Sequence, residues 1–145
     1  MLFRKARVDD IPYFVESRKA TLEREDDNSI DDILTEYFAN ALRNNSMIAW
    51  VAEDNGNVIS TACFIICPLV PNFVNLSGKV AYLTNVQTTP DYRGQGVATK
   101  LMSEIINDAK ELGIKKILLN STDMGKSIYE KLGFIKNDRY YEMLL

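Results

Sequence analysis

The chain has no histidine among its 145 residues. This excludes Ser-His-Asp and Cys-His nucleophilic machinery and every histidine-containing metal site. Cysteine is scarce: Cys63 and Cys67 lie in one apolar run with no further cysteine to join them. On a strand the two would share a face yet stand too far apart to bridge, so they read as buried, reduced core residues rather than a redox or metal pair. A long apolar segment is also missing. The longest run, residues 62–70, is interrupted by Pro68 and is too short to cross a bilayer. Met1-Leu2-Phe3-Arg4-Lys5 does not open a signal peptide, so a cytoplasmic location is expected. Nor is there an excess of positive charge: 17 Lys and Arg stand against 20 Asp and Glu, a formal charge of -3. That balance argues against general affinity for nucleic acid or an anionic membrane.

What is present is ordinary for a soluble globular chain, 46% hydrophobic and 26% charged residues. The length suits one core, with residues 1–145 as a single domain. Residues 3–8 alternate weakly and read as an opening strand. Asp9-Asp10 supply an N-cap ahead of Ile11-Pro12, and Ile11, Phe14, Val15 and Leu22 mark the inward face of a first helix. An acidic break follows, from which Ser29 or Asp31 caps a second helix. Its apolar residues are Ile33, Leu34, Tyr37, Phe38, Ala41 and Leu42. Residues 47–52 and 58–67 read as strands joined through Asp54-Asn55-Gly56-Asn57, a primed-turn hairpin signal. The second of these is apolar throughout, which suggests burial on both faces.

Residues 79–88 form the next strand, and an amphipathic helix then runs from Val97 to Leu112 with Gly113 as its stop. A strand over 114–119 completes a βαβ unit and should run parallel to 79–88. A short helix over 124–132 precedes a final strand or hairpin over 134–145, where Tyr141, Met143 and Leu145 alternate with Glu142 and Leu144. These elements make an α+β domain whose mixed, mostly antiparallel sheet is flanked by helices.

The stretch Pro90-Asp91-Tyr92-Arg93-Gly94-Gln95-Gly96-Val97-Ala98-Thr99 joins the strand to the long helix of that βαβ unit. Gly94 and Gly96 let an anion approach the backbone, and the first amides of the helix stand unpaired at the positive end of its dipole. The stretch is either a phosphate seat built from main chain or a glycine turn that only starts a helix. It is not a P-loop, because the Lys after the second glycine is missing, and it lacks the third glycine of the dinucleotide fingerprint, where Thr99 stands.

The pattern R-x-x-G-x-A, as Arg93-Gly94-Gln95-Gly96-Val97-Ala98, resembles the coenzyme A pyrophosphate loop of GNAT-type N-acetyltransferases. Ile128-Tyr129-Glu130-Lys131-Leu132-Gly133-Phe134 resembles a second segment of that family. The resemblance implies a GNAT-like fold with a central βαβ coenzyme-binding unit. It also implies acetyl-CoA as co-substrate, a primary amine of a small molecule or peptide as acceptor, and no metal. Coenzyme contacts then fall to Arg93, Gly94, Gln95, Gly96, Val97, Ala98 and Thr99. The strand positions Val86, Gln87 and Thr88 would present backbone groups to the pantetheine arm. A backbone N–H there would stabilise the tetrahedral oxyanion, a kind of donor worth roughly 3–4 kcal/mol in acyl transfer. Tyr129 matches the tyrosine that protonates the departing sulfur. With tyrosine near pKa 10 and a thiol near 8.5, full transfer is uphill by about 2 kcal/mol unless desolvation raises the thiol.

Two features depart from the family pattern. Many relatives place Asn seven residues before the tyrosine, to bond the coenzyme arm; here that position is Thr122, beside Asn120 and Ser121. No carboxylate lies in residues 79–90 to act as general base. Deprotonating a lysine-like amine at pH 7 costs about 4.6 kcal/mol and an α-amine about 1 kcal/mol, so low-pKa amines are the easier acceptors. A water chain or Glu36 is the alternative base. Glu23, Glu25, Asp26, Asp27, Asp31, Asp32 and Glu36 read as a solvated face or as an attraction for a cationic amine. Thr122 in place of Asn and the missing base also suit a catalytically idle acyl-CoA-binding sensor or interaction module that keeps only the loop, and a homodimer stays open.

Overall fold

The computed structural model describes all of residues 1–145. Its frame is one sheet of order β1-β2-β3-β4-β5, formed by β1 (Leu2–Lys5), β2 (Met47–Asp54), β3 (Asn57–Pro68), β4 (Lys79–Thr88) and β5 (Ile117–Leu119). The first three pairings are antiparallel and β4–β5 is parallel. The β2–β3 hairpin turns at Asn55 (φ 50°) and Gly56 (φ 80°), the positive angles a primed turn requires. β3 is buried on both faces from Ile59 through Phe64, as its unbroken apolar run predicts.

Helices cover both faces because the sheet residues alternate. On one face Ala62, Phe64, Ala81 and Leu83 meet α3 (Val97–Glu111) through Val97, Leu101, Met102, Ile105 and Ala109. Leu101, Met102 and Ile105 are fully buried. Each such side chain stabilises the fold by about 1.5–3 kcal/mol. On the other face Met47, Ala49, Val51 and Cys63 meet α1 (Ile11–Thr21) and α2 (Asp31–Arg43), whose Phe14 and Phe38 rings lie 5.8 Å apart. Cys63 and Cys67 are free thiols, and burial pushes Cys63 up to about 12.

Several expectations are corrected. The buried stripe of α2 is only Leu34, Phe38, Ala41 and Leu42 wide, so Ile33 and Tyr37 face solvent. Leu22 and Leu112 follow the last residues of α1 and α3 and are exposed where the chain leaves each helix. Neither Ser29 nor Asp31 caps α2, whose cap residue is Ile30. Asp10 stands at the α1 cap position, but its carboxylate accepts no hydrogen bond from an N–H of that helix. The carboxylate instead accepts from Arg7 N at 2.7 Å and from both Arg4 Nη atoms at 2.7 and 3.0 Å. Glu53 completes this ion cluster at 2.9 Å from Arg4.

The C-terminal strand does not form. Residues 134–145 carry no regular structure, and Tyr141, Met143 and Leu145 are exposed. Lys116 Nζ, just ahead of β5, lies over the Tyr140 ring at 5.6 Å. Alternation sets which side chains share a face, but a strand also needs an edge with which to pair its backbone. Lys19 was not expected inside, yet it is buried, held by Glu16 at 3.1 Å, Asp31 at 3.2 Å and Asn28 at 2.8 Å. That cation fixes the acidic α1–α2 connection to both helices.

Candidate active site

After Thr88 the chain makes one 3-10 turn over Pro90–Tyr92 and enters α3 through two left-handed glycines, Gly94 at φ 71° and Gly96 at φ 78°. A Cβ on either would meet nothing within 4 Å, so the requirement for glycine is the backbone angle, and the turn stays open to approach. Gly96 caps α3 without a side-chain hydrogen bond. The backbone N–H groups of Gly94, Gln95, Gly96, Val97, Ala98 and Thr99 have no partner within the protein; the first helical bond is Lys100 N to Gly96 O at 3.0 Å. This row of donors lies at the positive end of a helix of 15 residues.

The turn is tied from behind. Arg93 Nε donates to Thr88 O at 3.0 Å, and the Tyr92 hydroxyl donates to Asp54 Oδ2 at 2.7 Å. That bond to a carboxylate raises the Tyr92 pKa, so the phenol stays a donor. Gln95 Nε2 donates to Asp91 O at 2.9 Å. Lys100 is paired with Glu104 and Lys126 lies 4.0 Å from Glu130, so both lysines have local partners.

Beside the turn, β4 separates from β5. Their pairing covers only Ala81↔Ile117, Tyr82↔Leu118 and Leu83↔Leu119, so from Thr84 onward that edge of β4 faces no strand. The register with β3 also jumps, with Thr61 opposite Gln87 and Cys63 opposite Thr84. Asn85 and Val86 therefore bulge opposite Ala62, and Asn85 takes φ 56°, an angle that Asn tolerates better than most residues. Its Nδ2 donates to Phe14 O at 2.9 Å and Ser17 Oγ at 2.7 Å, while its carbonyl accepts from Thr61 Oγ1 at 2.9 Å. Asn85 is buried, and its Oδ1 has no hydrogen-bond partner. Val86 packs against the α3-side core. Ser60 Oγ donates to the Gln87 main-chain carbonyl at 2.9 Å and lies 2.8 Å from the Thr88 hydroxyl, which ties the end of β4 to β3.

Tyr129 lies on α4 (Lys126–Lys131), which follows β5. Its ring packs edge-on to Phe134 at 5.9 Å and against Gly125, where a Cβ would approach within 2.8 Å of Tyr129 Cε2. Burial alone pushes its pKa upward, because no protein group bonds its hydroxyl. Thr122 is exposed, and its Oγ1 accepts from Gly125 N at 3.3 Å, closing the turn into α4. Asn120 is engaged elsewhere, donating to the Tyr82 hydroxyl at 2.9 Å. No group of three or more His, Cys, Asp or Glu side chains is placed to hold a metal.

The sequence model of the acetyltransferase (GNAT) family matches residues 11–134, a span that includes the glycine turn, the splayed strand and Tyr129. The chain belongs to that family. Among solved GNAT-like structures, a predicted acetyltransferase from Clostridium acetobutylicum, solved with acetyl-CoA, is 38% identical, with a TM-score of 0.91 over 99% of this chain and 95% of its own. A GCN5-related N-acetyltransferase from Ralstonia eutropha JMP134 shares the fold at 21% identity, TM-score 0.88, over 99% of this chain and 97% of its own. N-alpha-acetyltransferase 30 of Schizosaccharomyces pombe is 35% identical over 67% of this chain and 63% of its own length. Glucosamine 6-phosphate N-acetyltransferase of Trypanosoma brucei brucei is 28% identical over 60% of this chain and 57% of its own. The matched stretches thus span somewhat over half of these two curated relatives.

The unpartnered amides and open glycine turn fit the pyrophosphate of the family's acetyl donor. The acidic residues of the α1–α2 connection do not line the glycine turn. Glu23, Arg24, Glu25, Asp26, Asp27 and Asn28 line one open depression by themselves, with no apolar side chain and nothing from β4, the glycine turn or α4. Asp31 is taken by Lys19, and Glu36 is exposed on α2. The Asn85 bulge and the Tyr92–Asp54 tie escaped the sequence reading. A polar Asn inside the apolar run 80–86 was the available signal for the first; nothing local signals the second.

Proposed function

We propose that this GNAT chain is an N-acetyltransferase that moves an acetyl group from acetyl-CoA directly to a primary amine of a small molecule or peptide. Residues 1–145 act as one such domain in this reading. The observation that carries it is the row of unpartnered amides from Gly94 to Thr99 at the end of a strand that leaves its parallel neighbour. Acetyl-CoA brings the activated thioester; the chain's residues bind, orient and manage charge. The amides from Gly94 to Thr99 hold the pyrophosphate, with Arg93 fixing the turn. The freed edge of β4, at Val86, Gln87 and Thr88, offers main-chain groups to the arm, and a backbone N–H there stabilises charge on the carbonyl oxygen.

The amine nitrogen bonds the acetyl carbon, the C–S bond then breaks, and the amine gives up one proton to water. Tyr129 supplies a proton or a hydrogen bond to the departing sulfur. Its raised pKa disfavours full transfer, but a buried thiolate is disfavoured by the same desolvation, so the two effects partly offset. Thr122 offers its hydroxyl where many relatives offer Asn. No His exists and no carboxylate lies in β4, so the acceptor enters most easily as an amine of low pKa. Two of the relatives named above are, by their names, a glucosamine 6-phosphate N-acetyltransferase and an N-alpha-acetyltransferase. The test is thiol release from acetyl-CoA across a panel of amines. Amine-dependent release supports the reading, whereas coenzyme binding without turnover on any amine supports an idle acyl-CoA sensor.

A further inference from the structure

The α1 side of the splay holds a cation that the protein does not pair with a carboxylate. Arg18 on α1 is half-buried, and its one hydrogen bond is from Nη1 to Thr84 Oγ1 at 3.3 Å. No carboxylate lies within ion-pair distance of it, although every other buried or half-buried basic side chain of α1 and β1, Lys19 and Arg4, is paired with acids. Burial pushes the pKa of the Cys63 thiol up, and the Arg18 charge opposes that shift. A guanidinium partly withdrawn from water gains from an anionic partner, and its planar fork of donors matches phosphate or carboxylate.

Position gives this cation a purpose. Thr84 is the first residue of β4 beyond the last pair with β5, Leu83↔Leu119. The next residue, Asn85, is bonded to Phe14 and Ser17, so α1 lies directly over the bulge and Arg18 is the following residue on that helix. α1 and Cys63 belong to the face opposite α3, whose N-terminus carries the glycine turn. The coenzyme's pyrophosphate and the Arg18 guanidinium therefore address opposite faces of one strand, and an anion at Arg18 belongs to the other substrate.

We infer that Arg18, assisted by the Thr84 hydroxyl, binds an anionic oxyacid group, phosphate or carboxylate, carried by the acceptor amine. The inference rests on the acetyltransferase reading and narrows its substrate class to amines bearing a negative group. Arg18 positions such an acceptor over the splayed segment and, as a like charge near the ammonium form, also favours the neutral amine that attacks.

The experiment compares two pairs of amines under saturating acetyl-CoA, 2-aminoethyl phosphate against ethanolamine and glycine against glycinamide, in the wild type, Arg18→Gln and Arg18→Lys. In the wild type the anionic member of at least one pair has the larger kcat/KM, and the responding pair tells phosphate from carboxylate. Arg18→Gln lowers the anionic-to-neutral ratio by about 10- to 100-fold, mainly through KM, the range expected for one charge-assisted contact. Arg18→Lys recovers part of it. Comparing one ratio between variants cancels the difference in amine pKa.

Inorganic phosphate competes with the amine, not with acetyl-CoA, and ceases to compete in Arg18→Gln. Unchanged acetyl-CoA affinity shows that the variant is folded; if Arg18→Gln does not fold, Arg18→Lys and phosphate competition in the wild type decide. An equal fall for anionic and neutral amines, or an unchanged ratio, overturns the inference. If no amine is acetylated, the acetyltransferase reading fails separately, and calorimetry of inorganic phosphate on the coenzyme-saturated protein then decides. Binding that Arg18→Gln abolishes supports the anion site, and binding absent from both or equal in both overturns it.

Discussion

Arg93 Nε donates to the carbonyl of Thr88 at 3.0 Å, which joins the last residue of β4 to the first residue of the glycine turn. The side chain that most resembles a phosphate ligand is thus committed, through that nitrogen, to holding the loop's shape. Arg93→Ala should raise the coenzyme A dissociation constant by about 10-fold, the loss of one charged hydrogen bond. Arg93→Lys should recover little, because an ammonium lacks the planar fork that reaches Thr88 while leaving its other nitrogens free. Calorimetry with coenzyme A measures both, and wild-type affinity in Arg93→Ala would show that the turn needs no such tie.

Tyr129 tests the exit of the sulfur. Tyr129→Phe should lower turnover by about 100-fold or more while leaving coenzyme A affinity close to wild type. The ring packing against Gly125 and Phe134 is kept by Phe, so folding is not at issue. Burial places the phenol's pKa above its ordinary value, so it stays protonated throughout the neutral range. No inflection from Tyr129 should enter the pH–rate profile below about pH 10. Equal turnover in the two proteins would remove Tyr129 from the chemistry.

The bulge makes a stability prediction. Asn85 pairs a positive φ with bonds to Phe14, Ser17 and Thr61. Asn85→Ala loses the side-chain bonds and keeps the unfavourable angle, and should cost about 2–3 kcal/mol. Asn85→Gly loses the same bonds but adopts the angle freely, and should be more stable than the Ala variant by about 1 kcal/mol. Urea denaturation of the three proteins gives the order; Ala equal to or above Gly would mean that the angle is not a constraint.

These three sites differ in how far the sequence could show them. The glycine turn is a local device, with angles, helix start and open amides all set within ten residues, so it reads directly from Arg93 to Thr99. Tyr129 is legible through its own segment, and the β2–β3 hairpin through Asn55-Gly56. Arg18, Thr84 and Asn85 become one place only when α1 packs over β4, a relation between residues about 66–71 apart in sequence. Tyr92 meets Asp54 in the same long-range way. The 134–145 segment fails for the converse reason: its alternation is local, but a strand requires a partner edge.

Acid should weaken the fold through Asp10. Burial pushes its pKa up, but the bonds from Arg4 and the Arg7 N–H outweigh this and hold the carboxyl below its usual range. A depressed pKa stabilises the folded state above the unfolded value of about 4, and this contribution is lost as pH falls through the folded pKa. Asp10→Asn should cost about 2–3 kcal/mol at neutral pH, less than severing an isolated buried pair because Glu53 still meets Arg4. The variant's stability should also change less between neutral and acid pH than the wild type's. Urea midpoints across that range check the point, and identical pH slopes would contradict it.

The central claim concerns main-chain donors, so the most direct measurement observes them. In amide-resolved NMR of the 15N-labelled protein, titration with coenzyme A should move the H–N resonances of Gly94, Gln95, Gly96, Val97, Ala98 and Thr99 most strongly. Downfield proton shifts are expected as these free N–H groups gain phosphate acceptors. Pantetheine, which lacks the pyrophosphate, should leave them nearly in place. Coenzyme A binding that leaves these resonances unmoved would contradict the account.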